Sequence, residues 1–249
     1  MIELLLLPLA FICEFFDSTI GMGYGTTLAP ILLLLGYEPL QVVPALLFSE
    51  FVTGITAAHF HHNTGNVDFS KNSEDRKVAV VLSVLTLVGV FLSVYLALSL
   101  PAIYIKSAIG VIVLSMGIIV GLSLTVRPKF SWLKIGVLGI VAAFNKGLSG
   151  GGYGPMVVGG QLLSGVSVKS AVGITSLAEG FACLLATIFY VTMRPTIDLQ
   201  LVPWLMAGAI LSVPFSAYTL KWLPERLTKA VMAALITLLG GLTLWKVLL

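Results

Sequence analysis

The chain has 249 residues, of which 58% are hydrophobic and 10% are charged, and its formal net charge is +3. Soluble domains contain about a quarter of charged residues, so this composition excludes a water-soluble fold and indicates an all-α integral membrane protein in contact with the lipid bilayer. The 14 basic residues stand mainly in short segments beside apolar stretches. There they set membrane orientation, and they do not form the surface patch that nucleic acid requires.

The first apolar stretch begins with Glu3, where a secretory signal would carry a basic residue, so we interpret it as a retained membrane segment. It extends over 3–36, which is too long for one helix, and the glycine-rich sequence GMGYG interrupts it. A helix that breaks inside the membrane leaves backbone N–H and C=O groups unpaired, at several kcal/mol each, unless protein or a wet cavity satisfies them. We therefore predict a broken helix in this segment.

The next span carries Glu50 near its centre, where an ionised carboxylate costs at least about 2.5 kcal/mol. Its side chain is therefore expected to face a protein interior or a wet cavity. A long polar connection follows at 59–77. Two further apolar stretches, 78–98 and 103–124, are each close to the roughly 20 residues that cross a bilayer.

Three histidines, His59, His61 and His62, cluster at the start of this polar connection. Histidine can bind metal or respond to pH, but nothing else in the sequence supplies a convincing partner for a metal. We interpret all three as solvated side chains at the membrane interface. We predict neither a metal site nor a cofactor.

The second half of the chain repeats the first. A shift of 129 positions aligns 21–50 with 150–179 without a gap, and the shared residues include a GYG sequence and an intramembrane glutamate, Glu50 and Glu179. Internal symmetry of this kind is common in transporters. The second broken segment extends over 132–165 and is interrupted by GLSGGGYG. Three apolar stretches follow it, at 168–191, 201–220 and 227–249.

The sequence thus predicts two repeats, 1–124 and 125–249, each with a broken segment and three spans. If both broken segments double back as re-entrant hairpins, ten basic residues fall on one side of the membrane and three on the other; if each crosses once, the division is eight to five. Lys146, deep in the second broken segment, is left out of both counts. The positive-inside rule favours the first arrangement. The ten residues then placed in the cytoplasm are Lys71, Arg76, Lys77, Arg127, Lys129, Lys134, Lys169, Lys221, Arg226 and Lys229.

Doubling back gives each half an odd number of crossings. The halves then form inverted repeats in the cell (plasma) membrane, and both termini lie outside. Inverted repeats place the substrate near the membrane centre, where the broken helices meet. Helices that start near Thr26 and Pro155 would direct free backbone N–H groups and the positive end of the helix dipole to that point, which attracts an anion.

Candidate substrate-binding residues come from the two glycine-rich runs and their neighbours. The glycines would let a ligand approach the backbone, and the hydroxyl groups would donate hydrogen bonds. The alternative is that the glycines merely allow close helix packing. The candidates are Gly23, Tyr24, Gly25, Thr26, Thr27, Lys146, Ser149, Gly151, Gly152, Tyr153 and Gly154.

Glu50, Glu179 and Asp17 are candidates for proton coupling or for the wall of the cavity. Burial disfavours an ionised carboxylate, so proton binding coupled to transport is one hypothesis. A structural hydrogen bond from a protonated glutamate is the other. Asp17 and Lys146 occupy equivalent positions in the two halves and carry opposite charges. One interpretation is that they pair across the symmetry axis, and the other is that Lys146 faces the substrate anion. Glu14 lies on the same helix face as Asp17.

Two further patterns have simple interpretations. Cys13 and Cys183 lie in apolar sequence, which indicates buried packing rather than a disulfide. Residues 147–150, GLSG, fit the GxSG pattern of intramembrane serine proteases. That chemistry needs a base within reach, and all three histidines precede Ser149 at one helix end. We do not expect an enzyme.

The runs GMGYGTTLAPILLLLG and GLSGGGYGPMVVGG resemble the paired glycine-rich runs of the TauE/SafE sulfite exporter family. Length and the four-plus-four segment plan agree along nearly the whole chain. The second run is the closer match, since the first has Met22 and Tyr24 where more glycine is common. The resemblance implies transport of sulfite or a small organosulfur anion, such as a sulfonate, generally outward.

The residues alone predict an anion site but do not select sulfur. We expect a secondary transporter that works by alternating access, with proton coupling as a hypothesis. A passive anion channel is the main alternative, and an intramembrane serine protease is a remote one. The sequence leaves the coupling ion, the direction of transport and the oligomeric state open, a homo-oligomer included.

Overall fold

A computed structural model describes the chain at residues 2–37, 39–97, 111, 114, 115, 118, 121, 130–149, 151–193 and 200–248. The span predicted at 103–124 lies largely outside these residues. The helices with defined bounds are α1 (Ile2–Ile20), α2 (Tyr24–Leu34), α3 (Pro39–Thr64), α4 (Glu74–Ala97), α5 (Trp132–Ser149), α6 (Tyr153–Leu163), α7 (Val168–Met193), α8 (Val202–Trp222) and α9 (Glu225–Leu248). The described residues contain no strand, so the all-α class is confirmed there.

Both predicted breaks are present. α1 ends at Ile20 and α2 begins at Tyr24, while α5 ends at Ser149 and α6 begins at Tyr153. Within the breaks, Gly23 has a φ of 138° and Gly152 a φ of 76°. These left-handed values favour glycine because a side chain there is strained. The glycine-rich sequences therefore interrupt the helices through backbone conformation.

The helix bounds repeat along the chain. α2 and α6 begin and end 129 residues apart, and so do α3 and α7. The ends of α1 and α5 have the same separation. The sequence repeat is therefore also a repeat of helical elements.

Four helices within the described residues are long and apolar enough to cross a membrane: 41–64 of α3, 74–93 of α4, 168–192 of α7 and 202–222 of α8. The large apolar residues that α4 leaves exposed recur at intervals of three or four and so share one face: Val80, Val84, Leu87, Val88, Phe91 and Leu92. A face of this kind suits contact with lipid, where large apolar side chains meet hydrocarbon.

The two halves pack together through pairs of helices. α3 and α7 cross at Gly54 and Gly180, where a methyl group added to Gly54 would lie 2.7 Å from the carbonyl oxygen of Ser176 and 2.9 Å from Gly180 Cα. On either side, α1 packs against α8 and α4 against α5. α3 also contacts α8, and α7 contacts α4. Each of these pairs joins an element of one half to an element of the other.

One prediction about the polar connection is wrong: His61 is buried, although His59 and His62 are exposed. The ring Nε2 of His61 donates to the carbonyl oxygen of Ser18 at 2.8 Å, and its Nδ1 accepts from Asn66 Nδ2 at 3.1 Å. Ser18 lies in the last turn of α1, where carbonyl groups lack helical partners. The burial of His61 is explained by this hydrogen bond, because it gives the Ser18 carbonyl group a partner that the helix does not provide.

Candidate functional site

The centre of the site is a buried ion cluster that joins the halves. Lys146, near the end of α5, is fully buried, and its Nζ pairs with Glu50 Oε2 of α3 and with Glu179 Oε1 of α7, the latter at 2.8 Å. The ion pairs described for Lys146 are with these two glutamates rather than with Asp17. This pairing was not foreseen from the sequence, although the repeat had marked the two glutamates as equivalent.

The start of α2 binds carboxylates of the protein itself. The backbone N–H of Tyr24 donates to Asp17 Oδ1 at 3.0 Å, and that of Gly25 donates to Glu50 Oε1 at 3.1 Å. The first N–H groups of a helix lack partners within the helix and attract negative charge. The sequence predicts that this helix start attracts an anion, and in this conformation the carboxylates of Asp17 and Glu50 accept its hydrogen bonds.

The start of α6 is chemically different from its counterpart. Its N-cap residue, Gly152, offers no side chain to cap the helix. The hydroxyl group of Tyr24 bonds to Ser49 Oγ at 2.9 Å, whereas the buried hydroxyl group of Tyr153 has no partner in the described part of the chain. Ala178 stands at the position equivalent to Ser49 and has no polar side chain. The two helix starts therefore share a backbone shape and differ in their polar partners.

A small cavity of about 10 Å³ lies beside the ion cluster. A volume of this size holds about one water molecule, so it cannot hold a sulfur oxyanion in this conformation. Four carboxyl groups contribute to its lining, with two hydroxyl groups and one glycine: Glu14, Asp17, Glu50, Glu179, Thr53, Ser176 and Gly54.

Glu14 was noted in the sequence only for its position beside Asp17. It is 2% exposed, its Oε1 accepts a hydrogen bond from Ser18 Oγ at 2.8 Å, and its Oε2 has no partner among the described residues. Its place inside an apolar helix was the available signal. No signal in the sequence marked Thr53 and Ser176 as part of the cavity, because hydroxyl residues are common in membrane helices.

The two glycine-rich runs pack directly against each other. A methyl group added to Gly151 would lie 3.0 Å from the backbone of Gly25 and of Thr26, and one added to Gly154 would lie 2.9 Å from Met22 Cα. No side chain fits at these two points. Close packing, the alternative interpretation of the glycines, therefore describes Gly151 and Gly154 in this conformation.

The remaining candidates lie around this contact. Gly23 keeps more space, since the atoms nearest to an added methyl group would be 4.0 Å away. Thr26 Oγ1 is buried without a described partner, and Thr27 is exposed. The side chain of Ser149 lies outside the described residues. The structure thus brings Lys146, both glutamates, Asp17 and the start of α2 together.

Both cysteines are buried and free, as predicted. Cys183 also has a polar contact, because its Sγ lies 3.7 Å from Glu50 Oε2, within reach of a weak S–H hydrogen bond. No group of three or more His, Cys, Asp or Glu side chains in the described part of the chain is arranged to hold a metal ion.

Residues 6–243 match the family described as sulfite exporter TauE/SafE. The chain belongs to the TauE/SafE family. A curated relative, the probable membrane transporter protein YtnM of Bacillus subtilis (strain 168), is 26% identical over 245 residues, which cover 93% of this chain and 79% of the relative. Membership of the TauE/SafE family and the apolar helices together identify a membrane transporter.

Proposed function

We propose that the chain is a secondary transporter that exports sulfite or a small organosulfur anion across the cell membrane by alternating access. The observation that carries this proposal is the match to the sulfite exporter family along nearly the whole chain. Lys146 supports it, because it is a fully buried cation at the junction of the halves. A buried ammonium group beside a helix start is suited to an anion.

The proposed architecture is two inverted repeats, 1–124 and 125–249, with both termini outside. The helix pairs support a two-fold relation, since exchanging the halves converts the pair α1 and α8 into α5 and α4. The same exchange converts α3 and α8 into α7 and α4, and it leaves α3 and α7 paired with each other. The proposed substrate site lies on this axis.

Substrate binding requires a conformation different from the one described, because the present cavity holds only about one water molecule. We propose that the glycine runs separate and that the substrate enters between them. Its contacts would then come from the residues inferred from the sequence: Gly23, Tyr24, Gly25, Thr26, Thr27, Lys146, Ser149, Gly151, Gly152, Tyr153 and Gly154. Alternating access would open this space to each side in turn.

Proton coupling through Glu50, Glu179 or Asp17 is part of the proposal. The cavity has four carboxyl groups in its lining, and the adjacent cation is Lys146. An ionised carboxylate without a partner is costly to bury, so protons are needed to balance this excess of acidic groups. An anion would add one more negative charge, and its binding is therefore expected to depend on proton uptake.

A thermal-shift panel on the purified protein tests the substrate class. The panel contains sulfite, sulfate, thiosulfate, sulfonates and simple carboxylates. We expect sulfur oxyanions or sulfonates to raise the melting temperature most, because ligands that bind the folded state stabilise it. A response to cations alone would overturn the assignment to anions. Lys146→Met should abolish the response to the stabilising anion.

Flux into reconstituted vesicles separates a transporter from a channel. We expect uptake against the substrate gradient when a proton gradient is imposed. Flux that only follows the electrochemical gradient of the anion would indicate a passive channel instead. Proteolytic activity that is lost in Ser149→Ala would support the protease alternative, whereas flux that persists in this variant would dispose of it.

A further inference from the structure

Two groups suited to bind an anion are both bound to one side chain, Glu50. Its Oε1 accepts the backbone N–H of Gly25 at 3.1 Å, and its Oε2 pairs with the ammonium group of Lys146. Glu50 is 4% exposed, so bulk water has little access to these donors. The carboxylate therefore occupies the position that a substrate oxyanion would need.

The other carboxyl groups near Glu50 do not have this combination of partners. Glu179 bonds to Lys146 but has no described bond to a helix start. Asp17 accepts from the N–H of Tyr24, and Glu14 accepts from Ser18, and neither has a described ion pair with Lys146. Among the described residues, Glu50 is thus the carboxylate that bridges the helix start and the cation.

The charged and titratable groups around Glu50 come from four neighbouring helices. They are Glu14 and Asp17 on α1, Tyr24 on α2, Lys146 on α5, and Glu179 and Cys183 on α7. Lys146 keeps its pair with Glu179 when Glu50 loses its charge. Neutralising Glu50 therefore frees a hydrogen-bond site without leaving the lysine unpaired.

We infer that the carboxylate of Glu50 and the substrate anion compete for Lys146 and the Gly25 N–H, so that each anion binds together with one proton taken up by Glu50. The inference rests on the proposed function and specifies its coupling step. The carboxylate takes a proton from solution and becomes a carboxylic acid, and the anion replaces its negative charge beside Lys146. For an anion with one negative charge, such as hydrogen sulfite or a sulfonate, the net charge of the site stays constant. Buried charge is costly, so this balance favours joint binding of proton and anion.

The pH dependence of sulfite affinity tests the competition. We compare the dissociation constant of the wild type with that of Glu50→Gln from about pH 5.5 to about pH 8. The glutamine stays neutral, so its site is always available, whereas the wild-type site is available only in the protonated fraction. The ratio of the wild-type dissociation constant to the Glu50→Gln dissociation constant should rise about tenfold per pH unit at pH values where Glu50 is ionised. The titration of sulfite itself affects both proteins equally and cancels in this ratio.

Glu14→Gln is the matched control, since Glu14 lines the same cavity without a described bond to Lys146. The corresponding ratio for this control should not vary with pH. A ratio for Glu50→Gln that stays constant with pH, or an equal dependence for both variants, would overturn the inference. Wild-type protein that binds no sulfur oxyanion at any pH would instead contradict the proposed function.

Infrared difference spectra of the wild type give a second measurement in case Glu50→Gln fails to fold. At a pH high enough to ionise Glu50 in the free protein, and at a sulfite concentration that saturates the site, adding sulfite should produce the carbonyl band of a newly protonated carboxyl group. The same band should appear in Glu14→Gln. Its absence from wild type saturated with sulfite would contradict proton uptake by Glu50.

Discussion

Lys146 holds its charge at a point that solvent does not reach, and its two carboxylate partners come from the central helices of the two halves. Removing one partner of a buried ion cluster leaves uncompensated charge, which typically costs about 3–5 kcal/mol. We therefore expect Lys146→Met to lower the free energy of unfolding by about that amount. Denaturant or thermal unfolding in detergent measures the change.

A triple variant separates the structural from the functional role of this lysine. Lys146→Met combined with Glu50→Gln and Glu179→Gln removes both unpaired charges, so much of the lost stability should return. Sulfite binding should remain absent, because the cation is still missing. A triple variant that binds sulfite as the wild type does would contradict the role of Lys146 in the site.

Asn66 lies in the polar connection after α3 and bonds this connection to α8. Its Nδ2 lies 2.8 Å from the carbonyl oxygen of Ala217 and 3.1 Å from Nδ1 of the buried His61. Asn66→Ala leaves these acceptors without that donor, so we expect a loss of about 1–3 kcal/mol in unfolding free energy. Asn63→Ala is the control, since Asn63 is exposed and bonds to the exposed His59. Equal losses for both variants would contradict this explanation.

At the scale of helices, the crossing of α3 and α7 depends on the absence of a side chain at Gly54. A methyl group there would lie 2.7 Å from the Ser176 carbonyl oxygen, so Gly54→Ala forces the helices apart. We expect it to destabilise the fold by about 1–3 kcal/mol. Thermal unfolding and flux measure the effect.

Gly241→Ala on α9 is the matched control for this crossing. Among the described residues, nothing lies within 4 Å of a methyl group at Gly241. Alanine favours the helix over glycine by about 1 kcal/mol, so this variant should be neutral or more stable. If Gly54→Ala were as stable as Gly241→Ala, the close crossing would not contribute to stability.

The helix breaks were predictable because glycine acts locally, through backbone conformation. The pairing of helices was not, because it depends on side chains distant in sequence. His61 illustrates the limit: its acceptor, the Ser18 carbonyl, lies 43 residues away. Lys146 is similar, since sequence symmetry pointed to Asp17 as its equivalent while contacts join it to Glu50 and Glu179. The sequence marked the charged residues of the site but not their partners.

At the scale of the whole molecule, thiol labelling tests the inverted arrangement. Lys71 follows α3 and Gln200 precedes α8, and both are exposed. The proposed topology puts Lys71 in the cytoplasm and Gln200 outside. A membrane-impermeant thiol reagent should therefore label Gln200→Cys in intact cells, and should label Lys71→Cys only after permeabilisation.

Wild-type protein serves as the background control, since Cys13 and Cys183 are buried. Lys221→Cys provides a further position, which should behave like Lys71→Cys. Labelling of Lys71→Cys and Gln200→Cys from the same side would contradict inverted repeats.

The contact at Gly54 also has a mechanical consequence. α3 has 26 residues and is therefore about 39 Å long, and Gly54 lies 15 residues from its first residue and 10 from its last. A helix that crosses another at a close contact can rotate about that contact. A tilt of about 10° there displaces the two ends of α3 by roughly 3–4 Å in opposite directions. A small rotation of α3 about Gly54 would thus widen one end of the bundle and narrow the other.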